Sequence, residues 1–382
     1  MSLDLLRNQI DQIDEQLVAL FEKRMETAKE IALEKKRNNL PVTDAQRERD
    51  VLTKRVDSLE NKQFSGELIQ LFEQIMMLSK HYQKEVLNGG KADSPYVKEM
   101  LDKIVVRELG GETTVAYQGI PGSFSEQTVH ETFGDACVSE PCPAFESVML
   151  ALQSKKADYG VLPIENSSTG AITEVYDLLR KYGNYIVGEH KVKVSQNLLG
   201  VPGASVEDIK EVYSHQEGLN QSREYLAAHP QWAQIPYQNT AISAKYVADS
   251  KDPTKAAIAS LRASELYGLE VLQRNTNFNK NNFTRFIIIS NTLQVSEKSN
   301  KISIYVTLPH VSGSLSAMLD LFSNAGINLS KIESRPIYSK RWEYYFYIDF
   351  EGSLLNEKVV EVLKQVEEHA EYFEILGCYE GA

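Results

Sequence analysis

The chain has 382 residues, a length that predicts two or three domains at roughly 150 residues each. Its 53 acidic side chains outnumber its 41 lysines and arginines, and the net charge of −12 argues against binding nucleic acid or an anionic membrane through bulk charge. No apolar run approaches the roughly 20 residues of a membrane span, the N-terminus is too polar for a signal peptide, and the three cysteines fit neither a disulfide framework nor a metal site. We therefore expect a protein of the reducing cytoplasm in which local cations hold any anionic ligand.

The sequence divides into three unlike segments. Residues 1–88 carry no strand signal, residues 113–291 alternate strand and helix signals, and residues 300–382 have the pattern of a small α+β unit. A linker is predicted over residues 89–112, which are polar and glycine-rich at both ends, with a short helix in between.

A long helix is predicted at the start of the first segment, from about Ser2 to Lys36. Its apolar residues recur at spacings of three and four, or multiples of them, and no breaker occurs before Pro41. At 1.5 Å per residue this helix is about 50 Å long, too long for so small a segment to bury alone. It is expected to pack against a partner, most simply a second copy of the chain. Two further helices, predicted to begin near Asp44 and Ser65, make the segment all-α.

Cations interrupt this apolar pattern. Arg24 occupies a position of the helix at which the pattern predicts an apolar residue. Lys35, three turns later, lies on nearly the same face. Arg7 precedes Arg24 by about 25 Å of helix, so it can share a small ligand with Arg24 only if it comes from a partner chain. The alternative is that all three are solvated or salt-bridging cations, and the spacing alone leaves this open.

The segments around these cations resemble the all-helical chorismate mutase domain. The matching stretches are Leu6-Arg7, Lys23-Arg24, Lys35, Asp44–Asp50 and Ser79–Gln83. The resemblance implies an intertwined homodimer or higher homo-oligomer. Its site pattern falls on Arg7 from the partner, Arg24, Lys35, Asp44, Arg47, Glu48, Ser79 and Gln83.

The chemistry of chorismate suits these residue types. Chorismate is a dicarboxylate that rearranges to prephenate in one concerted step, so catalysis requires conformer selection and charge stabilisation rather than a nucleophile. Because arginine binds carboxylates bidentately, Arg7, Arg24 and Arg47 are assigned to the substrate carboxylates. Lys35 and Gln83 are assigned as donors to the ether oxygen, with Glu48 and Ser79 on the hydroxyl side. Glu48 is alternatively a surface charge of its helix.

The middle segment predicts a two-lobed α/β fold of the periplasmic-binding-protein type. Strands at Thr114–Gln118 and Asp158–Ile164 each lead through a Gly/Ser turn into a helix, a geometry that suits an anion, although many such turns bind nothing. The alternation of strands and helices predicts a parallel sheet. Two such groups, joined near Val192–Leu199 and again near Asn277–Asn282, predict two lobes with a cleft between them.

Three motifs of this segment resemble prephenate dehydratase: Gly119–Ser125, Pro163–Ile172 and Asn282–Phe286. The resemblance places Thr284 at the position of the catalytic threonine. The other positions that it places at the substrate site are Arg285, Phe286, Asn166, Ser167, Ser168 and Gln221. For Arg285, supporting the loop or a carboxylate is favoured over a part in the chemistry. Near Gln221 the chain reads His215-Gln216-Glu217 where the family usually has His-Pro-Gln.

Two side chains are candidates for protonating the hydroxide that leaves prephenate. The Thr284 hydroxyl could donate a hydrogen bond to the leaving oxygen, and Glu165 could act as an acid if burial raises its pKa. The sequence does not separate them. No nucleotide fingerprint follows either strand, and the sequence predicts no cofactor and no metal.

The third segment has the βαββαβ order of a ferredoxin-like unit. With residues 325–329 and 332–336 it resembles the ACT domain attached to prephenate dehydratases, which implies feedback inhibition by L-phenylalanine bound at a domain interface. The effector positions are Gly313, Ser314, Leu315, Asn328, Glu333, Ser334, Arg335 and Pro336, with Ser314 where the family usually has alanine. A purely structural role in dimerisation is the alternative.

The three resemblances together predict a bifunctional enzyme of phenylalanine biosynthesis. It would rearrange chorismate to prephenate and then decarboxylate and dehydrate prephenate to phenylpyruvate, under feedback inhibition by L-phenylalanine. The alternative is a non-catalytic amino-acid-binding sensor, because two-lobed folds and ACT units both bind amino acids.

Overall fold

The structure of the chain is a computed structural model that describes residues 2–38, 40–42, 44–87, 94–337 and 343–382. It divides into two compact units, Met1–Ser94 and Pro95–Ala382. The beginning of the predicted linker and Trp342, where a strand was predicted to begin, lie outside the described residues. None of the described helices is long and apolar enough to cross a membrane.

Three α-helices build the first unit, as predicted. They are α1 (Leu3–Arg37), α2 (Ala45–Asp57) and α3 (Ser65–Leu87), with a 3-10 turn at Lys62–Phe64. The Asp44 carboxylate caps α2 by accepting a hydrogen bond from the Arg47 backbone N–H (3.0 Å). Helix α1 packs on α3 and buries Ala28 and Ala32.

Most of the apolar stripe of α1 is left exposed by the described residues of the first unit. Leu3, Ile10, Leu17 and Leu20 are 61%, 57%, 54% and 64% exposed. An apolar surface of this extent is typical of an interaction site, in agreement with the expectation that a helix of this length needs a partner.

The second unit contains the remaining elements. Its helices are α4 (Pro95–Asp102), α5 (Phe124–Phe133), α6 (Phe145–Gln153), α7 (Thr173–Tyr182), α8 (Gln216–Gln221), α9 (Arg223–Ala227), α10 (Thr240–Ser250), α11 (Leu261–Tyr267), α12 (Ser314–Asn324) and α13 (Glu357–His369), with a 3-10 turn at Val206–Asp208. Its strands are β1 (Val105–Val106), β2 (Thr114–Gln118), β3 (Val138–Cys142), β4 (Tyr159–Asn166), β5 (Gly170–Ala171), β6 (Tyr185–Lys193), β7 (Asn197–Gly200), β8 (Glu211–Ser214), β9 (Ala233–Pro236), β10 (Lys255–Ala259), β11 (Glu270–Gln273), β12 (Phe283–Ser290), β13 (Gln294–Val295), β14 (Lys301–Thr307), β15 (Leu329–Pro336), β16 (Tyr344–Glu351) and β17 (Tyr372–Tyr379).

Ten of the described strands form one sheet, in the order β15-β16-β14-β17-β6-β12-β4-β2-β3 with β5 paired to β4. Strands β7 to β11 form the sheet of a second lobe, in the order β11-β7-β10-β8-β9, and β1 pairs with β13. The large sheet joins the third segment to the first lobe through β17 and β6, where Gly377 pairs with Ile186. A Cβ atom at Gly377 would clash with the Ile186 carbonyl, so this close approach requires glycine.

The prediction of a parallel sheet is wrong for the strands that connect the lobes. Strands β2, β3 and β4 run parallel, as do β8, β9 and β10, but β12 is antiparallel to β4 and β6 and β7 is antiparallel to β10 and β11. The chain leaves the first lobe after β6 and returns in β12, so these two strands cross the same boundary in opposite directions. The alternation of strands and helices gives no sign of this return.

The third segment has the element order β14-α12-β15-β16-α13-β17 with antiparallel neighbours. Helices α12 and α13 bury Met318, Phe322 and Leu363 against the sheet. Helix α4, which falls in the predicted linker, adds Val97 and Met100 to this apolar cluster. Part of the predicted linker therefore belongs to the core of the third segment.

Candidate active sites

Arg24 and Ser79 meet where α1 packs on α3. The Arg24 guanidinium donates to the Ser79 hydroxyl and to the Ile75 carbonyl (3.4 Å), and Ser79 in turn donates to that carbonyl (2.8 Å). Burial lowers the pKa of Arg24, because its charge is partly removed from water. No carboxylate of the described residues pairs with this cation, so the contact leaves a half-buried positive charge for an anionic ligand.

Gln83 lies one turn after Ser79 on the same face of α3. It is 7% exposed, and its Oε1 atom has no hydrogen-bond partner among the described residues. A buried polar atom without a partner is unfavourable, so this amide is expected to bind a ligand or water.

The other predicted mutase residues make different contacts in the described chain. The Lys35 ammonium donates to the Val42 carbonyl (2.6 Å), and Glu48 pairs with Lys80 (2.9 Å). Asp44 caps α2, while Arg47 and Arg7 are exposed. The described chain therefore brings together Arg24, Ser79 and Gln83, and leaves Arg7 far along α1 from them.

Asn166 and Thr284 face each other on the neighbouring strands β4 and β12. The Asn166 amide donates to the Thr284 hydroxyl oxygen (2.9 Å) and to Asn282 Oδ1 (2.8 Å). Its own oxygen accepts from the backbone N–H groups of Ser168 (2.9 Å) and Thr169 (3.2 Å), which fixes which end of the amide carries the donors.

This arrangement orients the Thr284 hydroxyl. Because its oxygen already accepts a hydrogen bond, its proton must point elsewhere, and no acceptor for that proton is found among the residues that the structure describes. Thr284 is 8% exposed. The strand pair thus holds a partly desolvated hydroxyl that is oriented as a donor.

The loop after β4 is bonded to the first residue of β12 and to the segment before it. Ser167 accepts from the Phe283 N–H through its hydroxyl (2.9 Å) and donates its own N–H to the Phe283 carbonyl (2.8 Å). The Ser168 hydroxyl accepts from the Asn279 amide (3.0 Å). Gln221, in the second lobe, accepts from Gln196 on the segment between the lobes (3.3 Å). Ser167 and Ser168 therefore lie with Asn166 and Thr284.

Arg285 and Glu165 contact each other rather than the Thr284 hydroxyl. Neighbouring residues of a strand point to opposite faces, so Arg285 and Glu165 lie on the other face of the sheet from Thr284 and Asn166. The Arg285 guanidinium pairs with Glu165 (3.1 Å), Glu189 (3.0 Å) and Asp349 (2.9 Å). Within the described chain, Arg285 therefore binds three carboxylates, and its contact with substrate stays a prediction.

The condition for Glu165 to act as an acid is not met. Burial alone would raise the pKa of Glu165, but the ion pair with Lys331 (3.0 Å) and the charge of Arg285 outweigh that effect and lower it. Glu165 is therefore an ionised carboxylate with two cationic partners.

Phe286 was predicted beside the substrate, but it lies in the core. It is 2% exposed and packs with Val115, Tyr117 and Ile288. Phe286 lies two residues after Thr284 on β12, and its side chain stabilises the strand from the core instead of lining the cleft.

Sequence reasoning missed several polar groups near the cleft. Asn282 is 1% exposed, and its Nδ2 atom has no hydrogen-bond partner among the described residues, as is also true of Gln196 Oε1. A cavity of about 410 Å³ between the lobes is lined by the cations Lys193 and Arg262. Lys193 is the neighbour across the strands of Phe283, the residue before Thr284. The motif at residues 282–286 could have indicated Asn282, whereas the others carry no local signal.

In the third segment, a cavity of about 350 Å³ opens beside the N-terminus of α12. Ser314 and Leu315 line it together with Tyr344 and Phe346. The remaining predicted effector residues do not line it as far as the described residues define its walls. They are Gly313, which precedes α12, and Asn328, Glu333, Ser334, Arg335 and Pro336 on and before β15.

The chain matches three family models in the order of the predicted segments. They describe chorismate mutase type II over residues 6–84, prephenate dehydratase over residues 115–294 and the ACT domain over residues 302–368.

One relative matches nearly the whole chain, and two solved structures match 70% of it. The bifunctional chorismate mutase/prephenate dehydratase of Aquifex aeolicus (strain VF5) is 32% identical over 378 residues, which is 98% of this chain and 96% of that protein. The solved prephenate dehydratase of Arthrobacter aurescens in complex with L-Phe has a TM-score of 0.64 and 31% identity, and the match covers 70% of this chain and 90% of that chain. A structure described as a novel type of quorum quenching acylase matches 70% of this chain and 98% of its own, with a TM-score of 0.65 and 28% identity.

Proposed function

The chain belongs to the bifunctional chorismate mutase/prephenate dehydratase family, and on that premise we propose which of its residues carry the two reactions. It rearranges chorismate to prephenate, and it converts prephenate to phenylpyruvate. The observation that carries the assignment of the second site is the hydrogen bond from Asn166 to the Thr284 hydroxyl oxygen.

In the mutase site, Arg24 binds one carboxylate of chorismate. Its half-buried charge lacks a carboxylate partner among the described residues, so the ligand supplies the missing counter-charge. Gln83 turns its amide donors towards the ether oxygen, with Lys35 as the second donor, and both stabilise the charge that builds there. Arg47 and the Arg7 of a second chain bind the remaining carboxylate oxygens.

The mutase domain is an intertwined homodimer in this proposal. The exposed leucines and isoleucines of α1 support it, because burying them between two copies would remove this apolar surface from water. We expect Leu17→Asp to produce monomers in sedimentation velocity and to lose mutase activity, because Arg7 would no longer reach its site. Leu17→Met, which keeps the apolar surface, is the matched control. A Leu17→Asp protein that is monomeric and retains full mutase turnover contradicts the shared site.

In the dehydratase site, the bond from the ring carbon to its carboxylate breaks and carbon dioxide leaves. The electron pair enters the ring, which becomes aromatic as the hydroxide on the opposite carbon departs. Thr284 donates a hydrogen bond to that departing oxygen, which finally leaves as water with a proton drawn from the surroundings. Asn166 holds Thr284 in the donor orientation, and the 167–169 loop, whose N–H groups donate to Asn166 and to the Phe283 carbonyl, keeps Asn166 in place beside the substrate.

The third domain is a ferredoxin-like ACT domain that binds L-phenylalanine. The match to the ACT family and the L-Phe complex of a relative that is 31% identical support this assignment, as does the cavity beside Ser314 and Leu315. The residues of β15 that do not line this cavity are expected to complete the site across an interface with a second copy.

An assay with chorismate tests the whole proposal. We expect prephenate to appear first and phenylpyruvate to follow, and L-phenylalanine to slow the second step alone, with glycine as the control amino acid. A protein that binds phenylalanine but turns over neither substrate would be the non-catalytic sensor instead.

A further inference from the structure

Three cations and three carboxylates form a cluster between the first lobe and the ACT domain. Its members are Arg285, Lys301 and Lys331, and Glu165, Glu189 and Asp349. Lys301 pairs with Glu189 (2.9 Å) and lies 3.8 Å from Asp349, and Lys331 pairs with Glu165 (3.0 Å). Except for Glu165, at 36%, the side chains are at most 15% exposed.

The charges that each domain contributes to the cluster do not sum to zero. The first lobe supplies two carboxylates and one arginine, from β4, β6 and β12, for a charge of −1. The ACT domain supplies two lysines and one aspartate, from β14, β15 and β16, for a charge of +1. Because partly buried charges are unfavourable without partners, each domain completes the other.

The cluster lies directly behind the dehydratase site. Glu165 immediately precedes Asn166, and Arg285 immediately follows Thr284. The regular pairing of β4 and β12 breaks at this point, since Glu165 pairs with Arg285 but Pro163 pairs with Phe286. The backbone hydrogen bonding between β4 and β12 is therefore irregular next to the Asn166–Thr284 pair. Side-chain contacts are then needed to keep the two strand ends in position.

We propose that Lys331 of the ACT domain is a positioning residue for the dehydratase. By holding the Glu165 carboxylate, Lys331 fixes the end of β4 and so keeps the Asn166 amide at hydrogen-bond distance from Thr284. Lys331 is the member of the cluster whose ion pair goes to Glu165 alone among the described residues, whereas Arg285 is shared by three carboxylates. This inference rests on the proposed dehydratase function of the site.

The position of Lys331 also connects the site to the effector. Lys331 lies on β15 two residues before Glu333, which belongs to the predicted effector motif. Arg335, on the same face of that strand, pairs with Asp177 of α7 (3.2 Å). Strand β15 thus holds the first lobe at two points, and an effector that displaces it acts directly on the Lys331–Glu165 pair.

The test is Lys331→Met in the full chain. We expect the dehydratase kcat to fall about tenfold with KM changed less than about threefold, because the lost positioning affects groups that act in the transition state. Lys331→Arg, which retains the charge, is expected to recover most of kcat. The mutase rate of the same preparation should equal that of the wild type. Lys298→Met removes an exposed ion pair with Glu108 and serves as the matched control.

The pH profile provides a second readout, which a purely structural role would not change. The charged and titratable groups around Glu165 are Lys331 from β15, Arg285 from β12 and Tyr176 from α7, with Glu333, Glu189 and Asp349 behind them. The two cations hold the pKa of Glu165 low, so it stays ionised as the pH falls. Without Lys331 that pKa rises, and the acid limb of dehydratase kcat is expected to move to higher pH in Lys331→Met but not in Lys298→Met.

Each result decides the proposal. Wild-type kcat, KM and pH profile in Lys331→Met would overturn it, as would a loss that Lys331→Arg does not repair. If Lys331→Met fails to fold, Lys331→Gln, which keeps a neutral donor, must show an intermediate kcat, and a wild-type kcat in that variant refutes the proposal. A wild-type protein that forms no phenylpyruvate refutes the proposed function instead.

Discussion

Thr284→Val is expected to lower the dehydratase kcat by at least about 100-fold while chorismate is still converted to prephenate, which accumulates. Valine keeps the shape of threonine and removes only the hydroxyl that donates to the departing oxygen. The Asn166 amide keeps Asn282 Oδ1 (2.8 Å) and the Phe283 carbonyl (3.2 Å) as acceptors, so the substitution leaves no donor stranded there. Phenylpyruvate and prephenate are measured separately in one reaction that starts from chorismate.

Thr284→Ser provides the matched control. It keeps the hydroxyl next to Asn166 and is expected to retain dehydratase activity to within about tenfold of the wild type, since serine loses only a methyl group that restricts its rotamer. Equal activity in Thr284→Val and Thr284→Ser would show that the hydroxyl does no chemistry, and the donor would then have to be sought elsewhere in the cleft.

The residues that could be predicted from sequence are those with a local signal. The apolar stripe predicted α1 from about Ser2 to Lys36, and the helix spans Leu3–Arg37. The resemblance to prephenate dehydratase indicated Thr284 and Asn166, which lie on β12 and at the end of β4. Local periodicity was sufficient for α1 because that helix is defined by its own residues.

The features that could not be predicted depend on which strands meet. Strand alternation places the Arg285 side chain on the opposite face of the sheet from Thr284. Only the assembled sheet shows that β6 and β16 bring Glu189 and Asp349 to the Arg285 guanidinium. Lys331 carries no signal either, because alternating charged residues are common on an edge strand. The pKa of Glu165 depends on this lysine, which lies far away in sequence, so the direction of its shift could not be obtained from burial alone.

The short helix predicted within the linker is present as α4, but its packing against the third segment could not be predicted for a related reason. Glycine-rich stretches on both sides marked residues 89–112 as a connection, yet Val97 and Met100 are buried against the third segment. These two buried apolar residues give no sign of which core receives them. Their role becomes visible only once a distant core is present to receive them.

Arg24→Ala is expected to lower the mutase kcat/KM by about 100- to 1,000-fold and to leave the dehydratase unchanged. A substrate carboxylate bound in this half-buried position would lose its cationic partner, and an unpaired buried charge costs about 3–5 kcal/mol. Ser79 keeps the Ile75 carbonyl as its acceptor (2.8 Å), so the helix contact survives the loss of the guanidinium. Loss of prephenate formation from chorismate, with normal turnover of added prephenate, is the expected result.

Arg37→Ala is the matched control on the same helix. Arg37 is 75% exposed and pairs with Glu34 three residues earlier, and a surface pair of this kind contributes at most about 1 kcal/mol. We expect its mutase activity to equal that of the wild type. If Arg24→Ala and Arg37→Ala behave alike, the half-buried cation between α1 and α3 does not bind chorismate, and Arg7 of a second chain has no site to complete there. If Arg24→Ala alone is inactive and remains dimeric, the loss comes from the missing contact with the substrate, because the interface between the chains is intact.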